Sequence, residues 1–185
     1  LQQHGVLRGV PGGVVQELDQ DKNVVWQWRS WDHYDPEDYS FGRRSSLPTV
    51  SEFHLNTINL DRDDNMILAT PGWTKKIDRQ TGEILWHLGG NENEFSFVGV
   101  DSLAGVNDVT GHAFYRLENG NFLVYDNAPR VGEETSEAHE YRLDEENKVA
   151  EKIKTFRPDS IIRGWHRGNA QRLPNGNTLV GWGGA

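Results

Sequence analysis

The sequence predicts an all-β protein and, within that class, part of a β-propeller. Twenty glycines, seven prolines and seven tryptophans occur among 185 residues. With few long helix-forming stretches, this composition favours short strands joined by tight turns. A leucine followed by a polar turn and an apolar run occurs three times at nearly constant spacing. Such internal periodicity is typical of repeat folds, whereas a β-sandwich does not require it.

The three copies of this pattern begin at Leu60, Leu117 and Leu173. Their spacings are 117 − 60 = 57 and 173 − 117 = 56 residues. Two of the polar turns contain Asn-Gly pairs, at 119–120 and 175–176, and these residue types tolerate positive φ angles. Each copy is therefore predicted to form a β-hairpin.

A second strand–turn–strand pattern alternates with the first one along the chain. It occupies residues 17–26, 76–86 and 140–149. Two hairpins in each repeat make a four-stranded blade, slightly longer than the ~40–50 residues of common propeller repeats. The predicted organisation is a partial blade at 1–53, blades at 54–110 and 111–167, and the start of another at 168–185.

About three blades do not close a ring, because strand edges remain open at both ends. The chain begins at Leu1 rather than Met and stops shortly after a strand-like run. We therefore expect this segment to be a piece of a longer protein. The remaining blades of the same chain, or a partner chain, are expected to close the ring.

Composition excludes several classes of function. The formal net charge is −9 and no basic block interrupts it, so we expect no nucleic-acid partner. The chain has no cysteine, which excludes disulfides, thiolate metal sites and a cysteine nucleophile. No apolar run approaches the ~18–20 residues of a membrane-spanning helix, so we expect no membrane span in this segment.

Three histidines occur near the start of the repeated hairpins. They are His54, His112 and His166, which lie six, five and seven residues before the hairpin leucines. Because equivalent strand starts of a propeller meet at one rim, we expect the three imidazoles to share a site. Arg130 follows the second strand of the second hairpin, and its planar guanidinium suits oxyanions.

Other interpretations of these residues remain open. Each histidine can cap a strand or turn, and Arg130 can pair with Glu133 or Glu134. Three histidines with an open fourth position can also bind zinc. The segments flanking His112 and His166 are poor in the carboxylates that metal sites recruit, so we expect no metal. The remaining histidines are expected to be structural or solvated: His4, His33, His87 and His139.

Five segments of the sequence resemble the arylsulfotransferase family. They are residues 24–33, 53–58, 78–90, 111–127 and 168–183, the last of which contains Leu-Pro-Asn-Gly-Asn-Thr-Leu-Val-Gly-Trp-Gly. The resemblance extends over nearly the whole chain in the order of the family. It implies a six-bladed propeller that is exported to the periplasm or the cell exterior.

The same resemblance implies an activity. The family moves a sulfuryl group from an aryl sulfate to a phenol without a nucleotide sulfate donor, through a sulfo-histidine intermediate, and we expect no cofactor. His166 matches the nucleophile. His54, His112 and Arg130 match supporting catalytic roles at the rim.

The resemblance also implies substrate-binding roles for Asn56, Trp73 and Asn127. The segment 69–74 differs from the Ser- and Arg-containing stretch of many members, so recognition of the donor is expected to differ. Many broader relatives lack a histidine at the place of His166. A non-catalytic binding or assembly propeller is therefore the alternative function, and a propeller oxidoreductase or metal hydrolase is a third.

Overall fold

The protein is all-β, as the sequence predicted. The computed structural model describes residues 2–3, 6–7, 12–33, 54–70, 73–90, 92–99, 112–127, 135–164 and 166–184. Within these ranges the regular elements are β-strands, apart from one 3-10 turn at Ser30–Asp32. The described strands form five sheets. The chain divides into two compact units, residues 1–54 and 55–185.

The N-terminal unit contains two short antiparallel pairs. Strands β1 (Gln2–Gln3) and β2 (Val6–Leu7) form one pair, and β3 (Val14–Leu18) and β4 (Val24–Arg29) form the other. The second pair is the hairpin predicted at 17–26, and the Asp19 carboxylate caps its turn by accepting the backbone N–H groups of Asp21 and Asn23.

The second unit begins with a four-stranded antiparallel sheet. Its strands are β5 (Thr57–Leu60), β6 (Met66–Ala69), β7 (Thr74–Ile77) and β8 (Ile84–Leu88), paired in chain order. Every residue of β6 and β7 is buried. The two central strands are therefore covered on both faces, which suits the apolar side chains of β6. The buried lysines of β7 are paired with carboxylates, Lys75 with Glu92 and Lys76 with Asp61.

A five-stranded sheet follows. Strands β10 (His112–Arg116), β11 (Phe122–Asp126), β12 (Glu137–Asp144) and β13 (Val149–Phe156) pair antiparallel in chain order. Strand β9 (Ser96–Val98) comes from the segment between the two large sheets and adds parallel to β13. Strands β14 (Asn169–Arg172) and β15 (Thr178–Gly181) form a final hairpin.

The three repeated hairpins are confirmed, and their register corrects the spacing read from the leucines. The backbone N–H groups of Asp61, Leu117 and Leu173 each donate to the carbonyl four residues later. The true offsets are therefore 117 − 61 = 56 and 173 − 117 = 56. Leu60 is therefore equivalent to Arg116 and not to Leu117. Leu60 pairs with Met66 and Arg116 pairs with Phe122, and each of these partners is the first residue of the next strand.

Equivalent hairpins of the second unit lie side by side. The Asn59 side chain donates to the Phe114 carbonyl at 2.7 Å, and the Tyr115 hydroxyl donates to the Ala170 carbonyl at 3.1 Å. Asn59 and Tyr115 are 56 residues apart, as are Phe114 and Ala170. The same junction is thus built twice, once by an amide and once by a phenol.

The core alternates between the faces of strand β11. Phe122 and Val124 face the first large sheet, where they pack with Ile67 and Trp86. Leu123 and Tyr125 face the last hairpin, where Ala170, Val180 and Trp182 cover them. Because successive side chains of a strand point to opposite faces, β11 packs against both the first large sheet and the last hairpin.

Candidate functional site

The predicted site residues of the second unit lie at one set of strand ends. Strands β5, β10 and β14 begin there, and β6, β11 and β15 end there, because each hairpin pairs first residue with last. The Thr57 hydroxyl accepts the Ala113 backbone N–H at 3.0 Å and links the first two hairpins at this edge. The residues gathered at these ends are Asn56, Trp73, His112, Asn127 and His166.

His112 is the first residue of β10 and not, as expected, part of the segment before it. A β-bulge interrupts the pairing between His112 and Phe114, and Ala113 adopts a left-handed φ of 57° within it. Bulges redirect the side chains beside them and are frequent next to active sites. Here the bulge leaves the half-buried His112 ring directed at Asn127, two residues beyond its strand partner Tyr125.

Asn127 is the centre of the site. Its Oδ1 lies 2.5 Å from His112 Nδ1. Its Nδ2 donates to two backbone carbonyls, those of Gly164 at 2.8 Å and Arg167 at 2.6 Å. One side-chain amide therefore contacts the His112 ring and the main chain of the residue that follows His166.

Ser136 holds the same loop from the other side. Its buried hydroxyl donates to the Asn127 carbonyl at 2.5 Å and accepts the Gly164 N–H at 2.8 Å. Its backbone N–H donates to the Ile162 carbonyl at 2.8 Å. Ile162, Gly164 and Arg167 are thus each hydrogen-bonded to the end of β11 or the start of β12.

Close packing completes the support of this loop. Gly168 has a φ of 96°, and a Cβ there would lie 2.2 Å from the Tyr125 ring. Arg167 adopts a left-handed φ of 66°, a backbone conformation that is energetically unfavourable for residues that carry a Cβ. A backbone held in this way at a functional loop is a form of preorganisation.

His166 is exposed and lies three residues before β14. A Cβ on Gly184 would lie 2.8 Å from the His166 carbonyl oxygen, so Gly184 packs against the His166 main chain. His54 is also exposed, lies three residues before β5 and belongs to the N-terminal unit. By the 56-residue register His54 and His166 are equivalent positions, since 166 − 54 = 112, whereas His112 corresponds to Asn56.

The remaining predicted site residues have different surroundings. Arg130 lies outside the described residues. Asn56 is half-buried, and its backbone N–H donates to the Ala69 carbonyl at 2.9 Å. Trp73 closes the β6–β7 turn, and the Lys75 ammonium lies 4.6 Å from its ring centre.

The histidines expected to be structural have structural contacts where they are described; His4 lies outside that part of the chain. His33 stacks on Trp28 with ring centres 5.1 Å apart. Burial, and secondarily Lys75, lowers the pKa of His87, and its Nδ1 lies 3.3 Å from a Glu92 oxygen. Burial, with smaller contributions from Lys152 and Arg157, lowers the pKa of His139 to about 3.

Sequence reasoning missed two groups of residues. Ser136 and Thr57 carry no motif, and their hydroxyls act on backbone groups far along the chain. A buried ionic cluster also joins the two large sheets. Lys76 contacts Asp61 at 2.8 Å and Glu145 at 3.0 Å, and Arg116 contacts the other Asp61 oxygen at 2.5 Å.

Burial on its own raises the pKa of the Asp61 carboxyl, but hydrogen bonds from Arg116 and Lys76 outweigh it and hold that pKa well below its usual range. The cluster is therefore ionised at neutral pH. Lys76 lies between Lys75 and Ile77 in β7, so no alternation of polar and apolar residues marked it in the sequence.

Two absences apply to the described part of the chain. None of its groups of histidine, aspartate and glutamate side chains is arranged to hold a metal ion. None of its helices has the length and apolar character needed to cross a membrane.

Comparisons with known proteins bear on this arrangement. The sequence model of the family described as Arylsulfotransferase (ASST) matches residues 8–185. A search of curated proteins returns no match.

Proposed function

The chain belongs to the arylsulfotransferase family, and we propose that it transfers a sulfuryl group from an aryl sulfate to a phenol through a sulfo-histidine intermediate. The observation that carries the proposal is the Asn127 amide, which joins the His112 ring to the backbone beside His166. If the two histidines were only separate strand caps, no contact between their segments would be needed. The Asn127 contact therefore favours a role of both histidines in one reaction.

The first half-reaction uses His166 as the nucleophile. Its neutral imidazole attacks sulfur, an N–S bond forms, and the S–O bond to the aryl group breaks with its electron pair leaving on the phenolate oxygen. A protonated His112 or His54 gives its proton to that oxygen. A phenolate is a tolerable leaving group because the pKa of phenol is about 10.

The second half-reaction reverses this chemistry on the acceptor. The acceptor phenol loses its proton to a neutral histidine, its oxygen attacks sulfur, and the N–S bond to His166 breaks. By analogy with phosphoryl transfer, the protein contributes mainly positioning and stabilisation of charge on the sulfuryl oxygens. Arg130 is proposed for that charge, with Asn56 and Trp73 contacting the substrates.

We also infer that the described sheets are blades of a six-bladed propeller. The uniform 56-residue register and the repeated junctions between neighbouring hairpins support this. On this proposal the organisation is a partial blade at 1–53, blades at 54–110 and 111–167 and a further start at 168–185, with other blades closing the ring. Strand β9 of the segment 54–110 adds to the next blade as a parallel fifth strand, so that blade is not purely four-stranded and antiparallel. Family membership supports a periplasmic or extracellular location.

Rapid mixing with 4-nitrophenyl sulfate followed by intact-mass spectrometry tests the reaction. We expect ping-pong kinetics, a burst of 4-nitrophenol equal to the enzyme, and a mass adduct of one sulfuryl group that is lost in acid. His166→Ala should remove burst and adduct and lower turnover by at least ~1,000-fold. His87→Asn, a histidine on an outer strand, should leave all three unchanged.

Two results would contradict the proposal in different ways. Turnover without an adduct, or a burst retained by His166→Ala, would exclude His166 as nucleophile. Binding of aryl sulfates without any turnover would instead favour the non-catalytic binding propeller.

A further inference from the structure

Asn127 was expected to bind substrate, but its amide is already engaged by the protein. Both N–H donors of Nδ2 are directed at carbonyl oxygens, at 2.8 Å to Gly164 and 2.6 Å to Arg167. Carbonyl oxygens only accept, so the amide nitrogen must face them and the amide oxygen must face His112. The hydrogen-bonding partners of this amide therefore determine which end is the oxygen and which is the nitrogen.

The orientation of the amide decides which nitrogen of His112 carries the proton. Asn127 Oδ1 can only accept, so the 2.5 Å contact requires a proton on His112 Nδ1. A neutral His112 then has its lone pair on Nε2. The hydrogen bond made by one ring nitrogen fixes the role of the other, as in other catalytic histidines.

We propose that Asn127 is a positioning residue that holds His112 in the Nδ1–H tautomer, so that Nε2 is the nitrogen that exchanges protons with the substrate. This inference rests on the proposed function for the identity of the substrate, but the tautomer itself does not. Nε2 accepts the proton of the acceptor phenol as its oxygen attacks sulfur. The imidazolium so formed returns that proton to the phenolate that leaves the next donor molecule, which closes the proton balance.

The rigidity of the surroundings makes this positioning effective. The Ser136 hydroxyl bonds to the Asn127 main-chain carbonyl at 2.5 Å and to the Gly164 N–H at 2.8 Å, so it ties the backbone of Asn127 to the residue whose carbonyl accepts from the Asn127 side chain. The bulge at Ala113 fixes the direction from which the ring approaches. A small displacement of Asn127 would therefore change both the His112 tautomer and the loop that carries His166.

The tautomer is measured by long-range proton–nitrogen NMR of the protein labelled with ¹⁵N-histidine, with His112→Gln assigning the signal. We expect wild-type Nδ1 to be protonated and Nε2 to be unprotonated in the neutral ring. In Asn127→Leu, which removes the acceptor, the Nε2–H tautomer should become populated. An Nε2–H tautomer in the wild type, or an unchanged one in Asn127→Leu, would overturn the proposal.

Kinetics test the catalytic consequence. Asn127→Leu should lower kcat for sulfuryl transfer by about 100-fold or more with little change in KM, because proton transfer is affected and binding is not. Asn127→Asp keeps an acceptor for His112 and favours the imidazolium, so it should retain the Nδ1–H tautomer and move the acid limb of the pH–rate profile to higher pH. Its second oxygen would face the Gly164 and Arg167 carbonyls, so this variant should also be less stable than the wild type. Unchanged kcat in Asn127→Leu would contradict the catalytic part.

Asn93 provides a matched control. Its Oδ1 accepts the Gly89 N–H at 2.9 Å and its Nδ2 donates to the Phe95 carbonyl at 2.7 Å, so it bridges backbone groups as Asn127 does, without a hydrogen bond to any histidine ring that the structure describes. Asn93→Leu should lower stability and leave the His112 signals unchanged; a tautomer change there would show that general loosening is the cause. If the wild type transfers no sulfuryl group, the proposed function fails while the NMR still decides the role of Asn127.

Discussion

At the scale of single residues, burial determines which histidines can take part in proton transfer. His112 and His166 keep access to solvent, whereas His139 is 3% exposed inside the second large sheet. His139 Nδ1 lies 3.1 Å from the Thr155 hydroxyl, and its ring stands edge-on to Tyr141. A histidine in this position is a neutral core residue and a source of acid sensitivity.

His139 should make stability depend on pH between about 3 and 6.5. Its folded pKa of about 3 lies below the ordinary value of 6.5, so in this window the unfolded chain binds more protons and stability falls as pH falls. Between pH 7 and 5 the loss attributable to this group is about 2 kcal/mol. His139→Gln should remove that part of the slope in urea unfolding followed from pH 7 to 5. An identical slope in the variant would contradict the assignment.

At the scale of elements, buried ion pairs join the two large sheets. The Lys76 and Asp61 side chains are 5% and 1% exposed, and they belong to β7 and the β5–β6 turn. Glu145 reaches them from the β12–β13 turn and also accepts the Trp86 indole N–H at 2.9 Å. Without Lys76, the carboxylates of Asp61 and Glu145 would share Arg116 as their remaining cationic partner, so the negative charge at this junction would no longer be balanced.

Lys76→Met should therefore lower the free energy of unfolding by about 3 kcal/mol. In a double-mutant cycle, Lys76→Met and Asp61→Asn together should cost at least ~1 kcal/mol less than the sum of the two single changes. Arg142→Met is the control, because the Arg142–Glu151 pair is 62% and 36% exposed and should contribute less than about 1 kcal/mol. Urea unfolding of the wild type and the four variants measures these values, and additivity of the two buried changes would argue against a coupled cluster.

At the scale of the whole second unit, the repeated junctions connect the sheets into a series. The Tyr115 hydroxyl donates to the Ala170 carbonyl and accepts the Arg172 N–H at 2.9 Å, so it makes two bonds to β14. Asn59 makes the equivalent bond one repeat earlier. Neighbouring repeats of this kind contribute to stability largely through their interfaces.

Tyr115→Phe should loosen the last hairpin selectively. Two backbone groups of β14 lose their partner, at a cost of about 1–3 kcal/mol. Hydrogen exchange of the Leu173 and Gly176 amides, which close the β14–β15 turn, should become faster while the Asp61 amide of the first hairpin keeps its protection. Asn59→Ala removes the equivalent bond between the two large sheets, so it should accelerate exchange of the Asp61 amide while the Leu173 and Gly176 amides keep their protection. Uniform acceleration in both variants would indicate one cooperative unit instead.

Local features of the fold could be predicted from the sequence by itself. The hairpins at 60–68, 117–125 and 173–181 follow from turn chemistry and strand propensity, which act over a few residues. Positive φ angles occur at Gly120 and Gly176, as the Asn-Gly pairs indicated, and at Asp64 in the copy without glycine. The all-β class and the family resemblance depend on such short-range signals and were confirmed.

Only the tertiary structure decided the register and the site. The spacing of the leucines misaligned the first hairpin by one residue. Leu60 is the last residue of its strand, whereas Leu117 is the first residue of its turn. The bonds from Asn127 span 15, 37 and 40 residues, and the Ser136–Gly164 bond spans 28. Contacts over such distances depend on how whole sheets pack and how long each loop is. Ten residues separate β11 from β12 where four separate β6 from β7, so sequence spacing alone does not place these side chains.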